Sequence, residues 1–264
     1  METFICLSYA LFRSIVTRQT NIYLFKKRTL KARFISYFFV LCLFTSLAFN
    51  LSAQTDTKSN QHAELQVQAG MNRGFGLGSN ILLKNFSQGF PFEFRLGLGY
   101  TWLNPGKSAD ARRIFINDAT NGTPEKKGHN LDLRLDLMKP ATIFGHTPSY
   151  WYFGPRYSFF KGNFKYIGGN EDFDVTSKQF GIGTGIESRY QMTSKFTFVI
   201  SAGLDYYFPA LMKGHDTSYA PDNDNVNPRT NRDTGVKYIY KDANKAIYQP
   251  YLMPRLQLGI QWEL

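Results

Sequence analysis

The side chains most capable of chemistry are eleven charged residues that recur at alternate positions of apolar segments. Such groups can form ion pairs, line a path for ions, or act as acids and bases. They are Glu93, Arg95, Asp132, Arg134, Asp136, Arg156, Glu187, Arg189, Asp205, Arg255 and Glu263. Five positive and six negative charges nearly cancel. This balance favours mutual pairing over a path that selects one sign of ion.

The histidines are the other candidates for catalysis. They are His62, His129, His146 and His215. Nucleophilic catalysis requires a nucleophile within reach of its base, and no serine stands near His129 in the pattern of a hydrolase. Surface histidines are far commoner than catalytic ones, so the sequence predicts a protein that is not an enzyme.

Two other patterns suggest ligands but are incomplete. Asp222, Asp224 and Asp233 could contribute to a Ca²⁺ site, but their spacing lacks a full ligand set. Glycines recur over 74–78, but no helix and no Lys-Ser/Thr pair follows them, as a phosphate-binding loop would require. We therefore predict neither a metal nor a cofactor.

The pattern of the first 53 residues indicates a segment that is cleaved from the mature protein. A basic region at 26–33 precedes an uncharged apolar run, which ends in Leu51-Ser52-Ala53. This order is typical of a secretory signal peptide, and the run is shorter than the ~20 residues of a membrane helix. We predict an N-terminal extension and cleavable signal over 1–53, a polar linker over 54–61, and one folded domain over 62–264.

Removing this segment changes the interpretation of the charge. The remainder keeps 24 basic and 19 acidic residues, so its net charge is +5 rather than +11. The high isoelectric point therefore no longer indicates a nucleic-acid partner. Both cysteines, Cys6 and Cys42, also lie in the removed segment. Without disulfides, a secreted chain depends on an extensive hydrogen-bonded framework.

Beyond residue 61 the chain alternates apolar and polar residues with period two, which predicts strands. In the last segment Leu256, Leu258 and Ile260 fall on one face, and Arg255 and Gln257 fall on the other. Eight such segments occur, at 65–72, 75–84, 90–102, 130–137, 151–159, 180–190, 196–208 and 253–264. Pro155 lacks an N–H and predicts a bulge or gap in its strand.

The connections differ in length and predict a transmembrane barrel. Those at 85–89, 139–149 and 191–195 are short, those at 104–128, 163–174 and 209–246 are long, and 72–74 is a tight hairpin. An even number of strands joined by short turns on one side and longer loops on the other is typical of outer-membrane barrels. Aromatic residues also stand near both ends of the segments: Tyr100, Trp102, Tyr206, Phe208, Tyr190 and Trp262. We predict an all-β, eight-stranded antiparallel up-and-down transmembrane β-barrel.

The sequence resembles the outer-membrane β-barrel proteins of Gram-negative bacteria, most closely the small barrels typical of the Bacteroidota. Signal peptides of that group often end in Ala-Gln, as Ala53-Gln54 does here. The resemblance covers about residues 61–264 and implies periplasmic termini and extracellular long loops. It also implies that the barrel assembly machinery recognises the last strand. Trp262 fits this assembly signal, whereas Leu264 stands where an aromatic residue is usual.

Function is predicted from the strand count and the charges. Side chains alone fill the bore of an eight-stranded barrel, and buried charges require partners. We predict a filled, salt-bridged lumen in a protein that anchors and presents extracellular loops, for envelope integrity, adhesion or partner binding. The alternatives are a narrow channel for small or hydrophobic solutes and, third, a lipid A-modifying enzyme, for which His129 and His215 would lie outside.

The predicted partners follow from the same placement. They are outer-membrane lipid and lipopolysaccharide, the assembly machinery, and an extracellular ligand or protein that binds loops 104–128 and 209–246. Basic residues of the first long loop are candidates for contacts with lipopolysaccharide phosphates. They are Arg112, Arg113, Lys126 and Lys127.

Overall fold

The computed structural model of the chain describes residues 62–85, 89–117 and 121–263. These residues lie within one compact unit, Ser59–Leu264. The predicted signal segment 1–53, the linker 54–61 and the final Leu264 lie outside the described residues.

The described parts of the chain form ten strands and two helices. In chain order they are β1 (His62–Asn72), β2 (Phe75–Lys84), β3 (Glu93–Leu103), α1 (Ser108–Phe115), β4 (Thr123–Ile143), β5 (His146–Ile167), β6 (Asp172–Gln191), β7 (Phe196–Tyr207), β8 (Met212–Lys213), β9 (Ser218–Tyr219), α2 (Tyr240–Ala246) and β10 (Leu252–Glu263). None of the described helices is long and apolar enough to span a bilayer.

Eight of the strands close into a barrel. β1 to β7 pair antiparallel with their sequence neighbours, and β10 pairs with both β7 and β1. The closing seam runs in register from Glu64 opposite Glu263 to Asn72 opposite Arg255. Closure gives each of these eight described strands a hydrogen-bonded neighbour on both sides. The predicted eight-stranded antiparallel barrel is confirmed.

The alternation of the sequence decides which face of each strand points outward. On β10, Leu256 and Leu258 are 54% and 52% exposed, whereas Arg255 and Gln257 are buried. The other barrel strands follow the same rule along most of their length. Apolar side chains thus cover the outside of the barrel and polar side chains fill its inside. This arrangement is the reverse of a water-soluble protein and is typical of a barrel surrounded by lipid.

Three strands are much longer than the sequence predicted. β4 begins at Thr123 rather than 130, β5 continues to Ile167 rather than 159, and β6 begins at Asp172 rather than 180. The prediction of a long loop at 163–174 is therefore wrong, because only residues 168–171 connect β5 to β6. The apolar outward residues stop where the extensions begin, because most outward residues of the extensions are polar or charged.

Tight turns join the strands at the other end of the barrel. Phe144 and Gly145 connect β4 to β5, and both have positive φ, at 50° and 75°. Pro155 marks the predicted interruption on β5. The pairing of β4 with β5 passes from Arg134 opposite Arg156 to Leu137 opposite Phe153, and the residues between have no partners across this pair of strands. A proline without an N–H accounts for this local gap.

Candidate functional site

A chain of ion pairs crosses the interior of the barrel, with acidic and basic side chains in strict alternation. Its order is Glu93, Arg189, Glu187, Arg95, Asp136, Arg156, Asp205 and Arg255. The seven N···O distances run from 2.6 Å, between Arg95 Nη1 and Glu187 Oε2, to 3.3 Å, between Arg255 Nη1 and Asp205 Oδ2. We call these eight residues the ion-pair chain. Four positive and four negative charges cancel within it.

The ion-pair chain is held by strands distributed around the barrel. It takes side chains from β3, β4, β5, β6, β7 and β10, because each strand points alternate residues into the same narrow space. Asp136 lies at its middle and is 0% exposed. One of its oxygens is 2.7 Å from Arg95 Nη2, and the other is 2.7 Å from Arg156 Nη2. Sharing a carboxylate between two guanidinium groups offsets part of the cost of desolvating all three.

The remaining charged candidates occupy two other environments. Asp132 and Arg134 form a separate buried ion pair within β4. Glu263 lies at the exposed end of β10, away from the buried interior. Ten of the eleven charged residues named from the sequence thus lie in or at the end of the interior, and nine of them are less than a tenth exposed as side chains.

Two tyrosines of β5 fill the space beside the arginines. The Tyr152 ring lies under the guanidinium of Arg95, at 4.3 Å, and also contacts that of Arg255, at 5.7 Å. Tyr150 packs in the same way against Arg189, at 3.8 Å. Such contacts stabilise a cation that is shielded from water. Period-two spacing placed Tyr152 on the inward face, but nothing in the sequence indicated that it would pair with arginines.

Amide side chains fill the end of the interior where β1 begins and β10 ends. Gln66 donates to Gln261 at 3.3 Å and accepts from Asn80 at 2.7 Å. Gln261 in turn donates to Glu64 at 2.6 Å, and Glu64 forms an ion pair with Lys84 at 2.6 Å. These hydrogen bonds connect β1, β2 and β10 across the base of the barrel.

An apolar cluster covers the opposite end of the interior. We call it the cap. It consists of Ala111, Ile114, Phe115, Phe160, Phe164, Tyr166, Phe173, Val175, Met212, Tyr219, Ala243, Ala246 and Ile247. The members come from α1, from α2 and the residue that follows it, from the short strands β8 and β9, and from the extended ends of β5 and β6. The connections within 104–128 and 209–246, predicted as long loops, therefore contribute to an apolar core of their own.

Local sequence explains how the cap assembles. Ala111, Ile114 and Phe115 follow the spacing of one helical face, and all three are buried. Tyr219 then secures the helix, because its hydroxyl donates to the carbonyl oxygen of Ile114 at 2.7 Å and accepts from the Arg229 N–H at 3.1 Å. The cap is thus bound together by polar contacts as well as by apolar packing.

The polarity of the wall inverts where the cap begins. On β5 the outward residues between Trp151 and Phe159 are apolar. Beyond Phe159, nearer the cap, the outward residues include Lys161 and Lys165. At the same level the inward residues change from charged to apolar, as Arg156 is followed by Phe160. Outward apolar residues are stable against lipid and outward charges against water. The nine residues 151–159 match the 9–11 residues of a tilted transmembrane strand.

Asp174 lies on β6 beyond this inversion, on the outward face. Burial raises the pKa of its carboxyl group, but Lys161 Nζ at 2.7 Å and Asn163 Nδ2 at 3.0 Å outweigh that effect. The net result is a pKa below the ordinary 3.8. A depressed pKa means that the pair stabilises the fold above about pH 4. That contribution is lost as the pH falls through the lowered pKa.

Replacing Lys161 with methionine tests this pair. We expect the pKa of Asp174 to rise towards 3.8, because the variant loses the cation that favours the carboxylate. The measurement is the chemical shift of the Asp174 side-chain carboxyl carbon, followed by NMR as the pH is changed. Lys165→Met provides the matched control, since it removes another outward lysine of the same strand. Equal titration of Asp174 in both variants would contradict the assigned pairing.

His129, His146 and His215 lie on separate parts of the structure, and the rings of the first two stack on tyrosines. The His129 ring stacks on Tyr100 at 5.4 Å on the outer surface of the barrel. The His146 ring stacks on Tyr190 at 4.0 Å, and its Nε2 is 2.9 Å from the carbonyl oxygen of Arg189. His215 lies in the connection between β8 and β9.

The other candidate ligands are likewise dispersed. Across the described ranges, no three His, Cys, Asp or Glu side chains are grouped as metal ligands. Gly76 and Gly78 lie within β2, where they face the interior. Of the four basic residues of the first long loop, Arg113 pairs with Asp110, Lys126 donates to the Gly106 carbonyl oxygen, Arg112 packs over Tyr166, and Lys127 is exposed.

No protein-family model and no curated protein matches the chain. Among solved structures, a major outer membrane protein from Thermus thermophilus aligns with 78% of this chain and 100% of its own, with a TM-score of 0.60 and 24% sequence identity. The chain has the fold of a small outer-membrane β-barrel. This likeness and the closed sheet agree on the architecture.

Two further structures align over similar lengths. The alignment with Neisserial surface protein A covers 77% of this chain and 96% of that protein, at 13% identity. CarO2 of Acinetobacter baumannii covers 78% and 100%, at 12% identity. Both have a TM-score of 0.32, which is too low to establish a shared fold.

Proposed function

We propose that the chain is an outer-membrane protein of a Gram-negative bacterium, of the Bacteroidota type, that anchors and presents an ordered extracellular cap. The observation that carries this proposal is the joint inversion of polarity on both faces of β5. It divides the molecule into a part suited to lipid and a part suited to water. The short turns and the termini are then periplasmic, and the cap is extracellular.

The content of the interior supports anchoring rather than transport. Amides fill one end, the ion-pair chain crosses the middle, and the cap covers the other end. A solute path would have to displace charges whose side chains are almost completely buried. Breaking such pairs is costly. The external surface of the cap, formed by the connections within 104–128 and 209–246, would then perform the biological task in envelope integrity, adhesion or partner binding.

Assembly is part of the same proposal. Trp262 lies one residue before the end of β10, opposite Leu65 of β1 and Phe196 of β7. A last strand with outward apolar residues would be recognised by the barrel assembly machinery, with Trp262 and Leu264 as its terminal signal.

Conductance across a planar lipid bilayer tests the filled lumen. We expect the full chain, inserted from detergent, to show no reproducible open level, because ion pairs and tyrosines occupy the cross-section. A porin of known conductance in the same bilayer provides the control for detection. A stable open level would contradict the filled lumen and favour the narrow channel.

A further inference from the structure

Three lysines form an outward-facing group just above the apolar band. Lys127 of β4, Lys161 of β5 and Lys178 of β6 lie on adjacent strands, and we call them the lysine facet. Lys127 and Lys178 are exposed, and the side chain of Lys161 is 44% exposed. The three ammonium groups therefore lie on the outer surface of the barrel. The apolar part of this same surface, nearer the short turns, is the part that would contact lipid.

The depth of the lysine facet follows from the strand register. Lys178 pairs with Phe159, the last apolar outward residue of β5, and its Nζ lies 5.8 Å from the centre of that ring. Lys161 is the next outward residue after Phe159, and it pairs with His129 of β4. Lysines at such a boundary extend their ammonium groups from an apolar surface towards lipid headgroups.

The lysine facet occupies one side of the barrel only. The outer ends of the other barrel strands present apolar or aromatic outward side chains at the corresponding positions. These are Met71, Phe75, Trp102, Tyr206 and Leu252. The difference arises because β4, β5 and β6 continue beyond the rim, whereas the other five strands end near it. An anionic lipid would therefore be held at a defined side of the molecule.

The neighbouring charges leave the lysine facet with an excess of positive charge. Asp174 pairs with Lys161 at 2.7 Å. The other outward acids of these strands, Glu125 and Asp172, lie farther from the apolar band, opposite Lys165. Three lysines against one carboxylate at the headgroup level attract phosphate rather than a cation.

We propose that the lysine facet binds the phosphate groups of anionic lipids in the outer leaflet. This inference rests on the proposed outer-membrane location. The apolar surface directly below, formed by Phe159, Phe180 and Leu131, would contact the acyl chains of the same lipid. The geometry thus combines a headgroup contact with a chain contact on three adjacent strands.

Native mass spectrometry of the full chain in detergent micelles tests this proposal. The probes are phosphatidic acid and phosphatidylcholine with identical acyl chains. We expect at least about fivefold tighter binding of phosphatidic acid, the factor contributed by one lysine near an anionic headgroup. The triple variant Lys127→Gln, Lys161→Gln and Lys178→Gln should lose this preference. The control Lys237→Gln, Lys241→Gln and Lys245→Gln changes three exposed lysines of the last long connection and should retain it.

Three outcomes would overturn the proposal. The first is an equal loss of preference in both triple variants, which would indicate a general effect of net charge. The second is an unchanged preference in the lysine-facet variant. The third is displacement of phosphatidic acid by inorganic phosphate at equal concentration, which would indicate a site for free anions. Insertion into lipid vesicles is measured separately, and a folded chain that does not insert would instead contradict the proposed function.

Discussion

Replacing Asp136 with alanine should lower the free energy of unfolding by about 3–5 kcal/mol, the cost of removing one partner from a buried ion pair. The carboxylate is 0% exposed and lies between the guanidinium groups of Arg95 and Arg156, each at 2.7 Å. Its removal leaves adjacent positive charges in a space without water to solvate them. Urea-induced unfolding of the full chain in lipid vesicles measures this loss.

The matched control for this variant is Asp110→Ala. Asp110 pairs with Arg113 at 3.0 Å on the surface of α1, and both side chains are more than a third exposed. Exposed pairs contribute little, so this change should alter stability by less than about 1 kcal/mol. If Asp136→Ala cost no more than its control, water would have access to the arginines. That result would contradict a filled lumen.

A charge placed on the outward face of the apolar band should be the second severe change. Leu135 lies on β4 between the outward residues Leu133 and Leu137, and it is 38% exposed. Leu135→Arg should cost about 2–4 kcal/mol, because an arginine near the middle of a bilayer loses its hydration. Unfolding from lipid vesicles again provides the measurement.

Thr176→Arg is the control for this second change. Thr176 is also an outward residue, but it lies on β6 beyond the inversion of polarity, opposite Lys161. The same side chain placed there would be in water, so stability should change by no more than about 0.5 kcal/mol. Similar losses in the two variants would mean that the apolar band is not the part surrounded by lipid.

The barrel could be predicted from sequence because the alternation of inward and outward residues is visible within each single strand. Leu131, Leu133, Leu135 and Leu137 alternate with Asp132, Arg134 and Asp136, and period two alone determines which of them point inward. The partners within the interior are not local. Arg189 bonds to Glu93 across 96 residues, and Arg95 bonds to Glu187 across 92. Such pairs depend on the stagger of eight strands, which no single segment specifies.

The cap was missed for a different reason. Its helix α1 contributes only three apolar residues, in a connection that otherwise reads as polar and rich in turns. The extension of β5 did carry a signal, because Phe160 and Phe164 continue the alternation beside Lys161 and Lys165. The strand keeps its period there but exchanges its faces. The alternation therefore marks the full length of β5 once the apolar residues are allowed to move from the outward to the inward face.

The inversion of polarity along β5 is tested most directly by single cysteines at its outward residues. Cys6 and Cys42, the two cysteines of the full chain, are first replaced by serine. A polarity-sensitive dye is then attached at each odd position from 151 to 167 in lipid vesicles, and a water-soluble quencher is added. We expect a protected, lipid-like signal from 151 to 159 and a quenched, aqueous signal from 161 to 167. A lipid-like signal at 161–167, or full quenching at every position, would contradict the placement of the membrane and with it the division into anchor and cap.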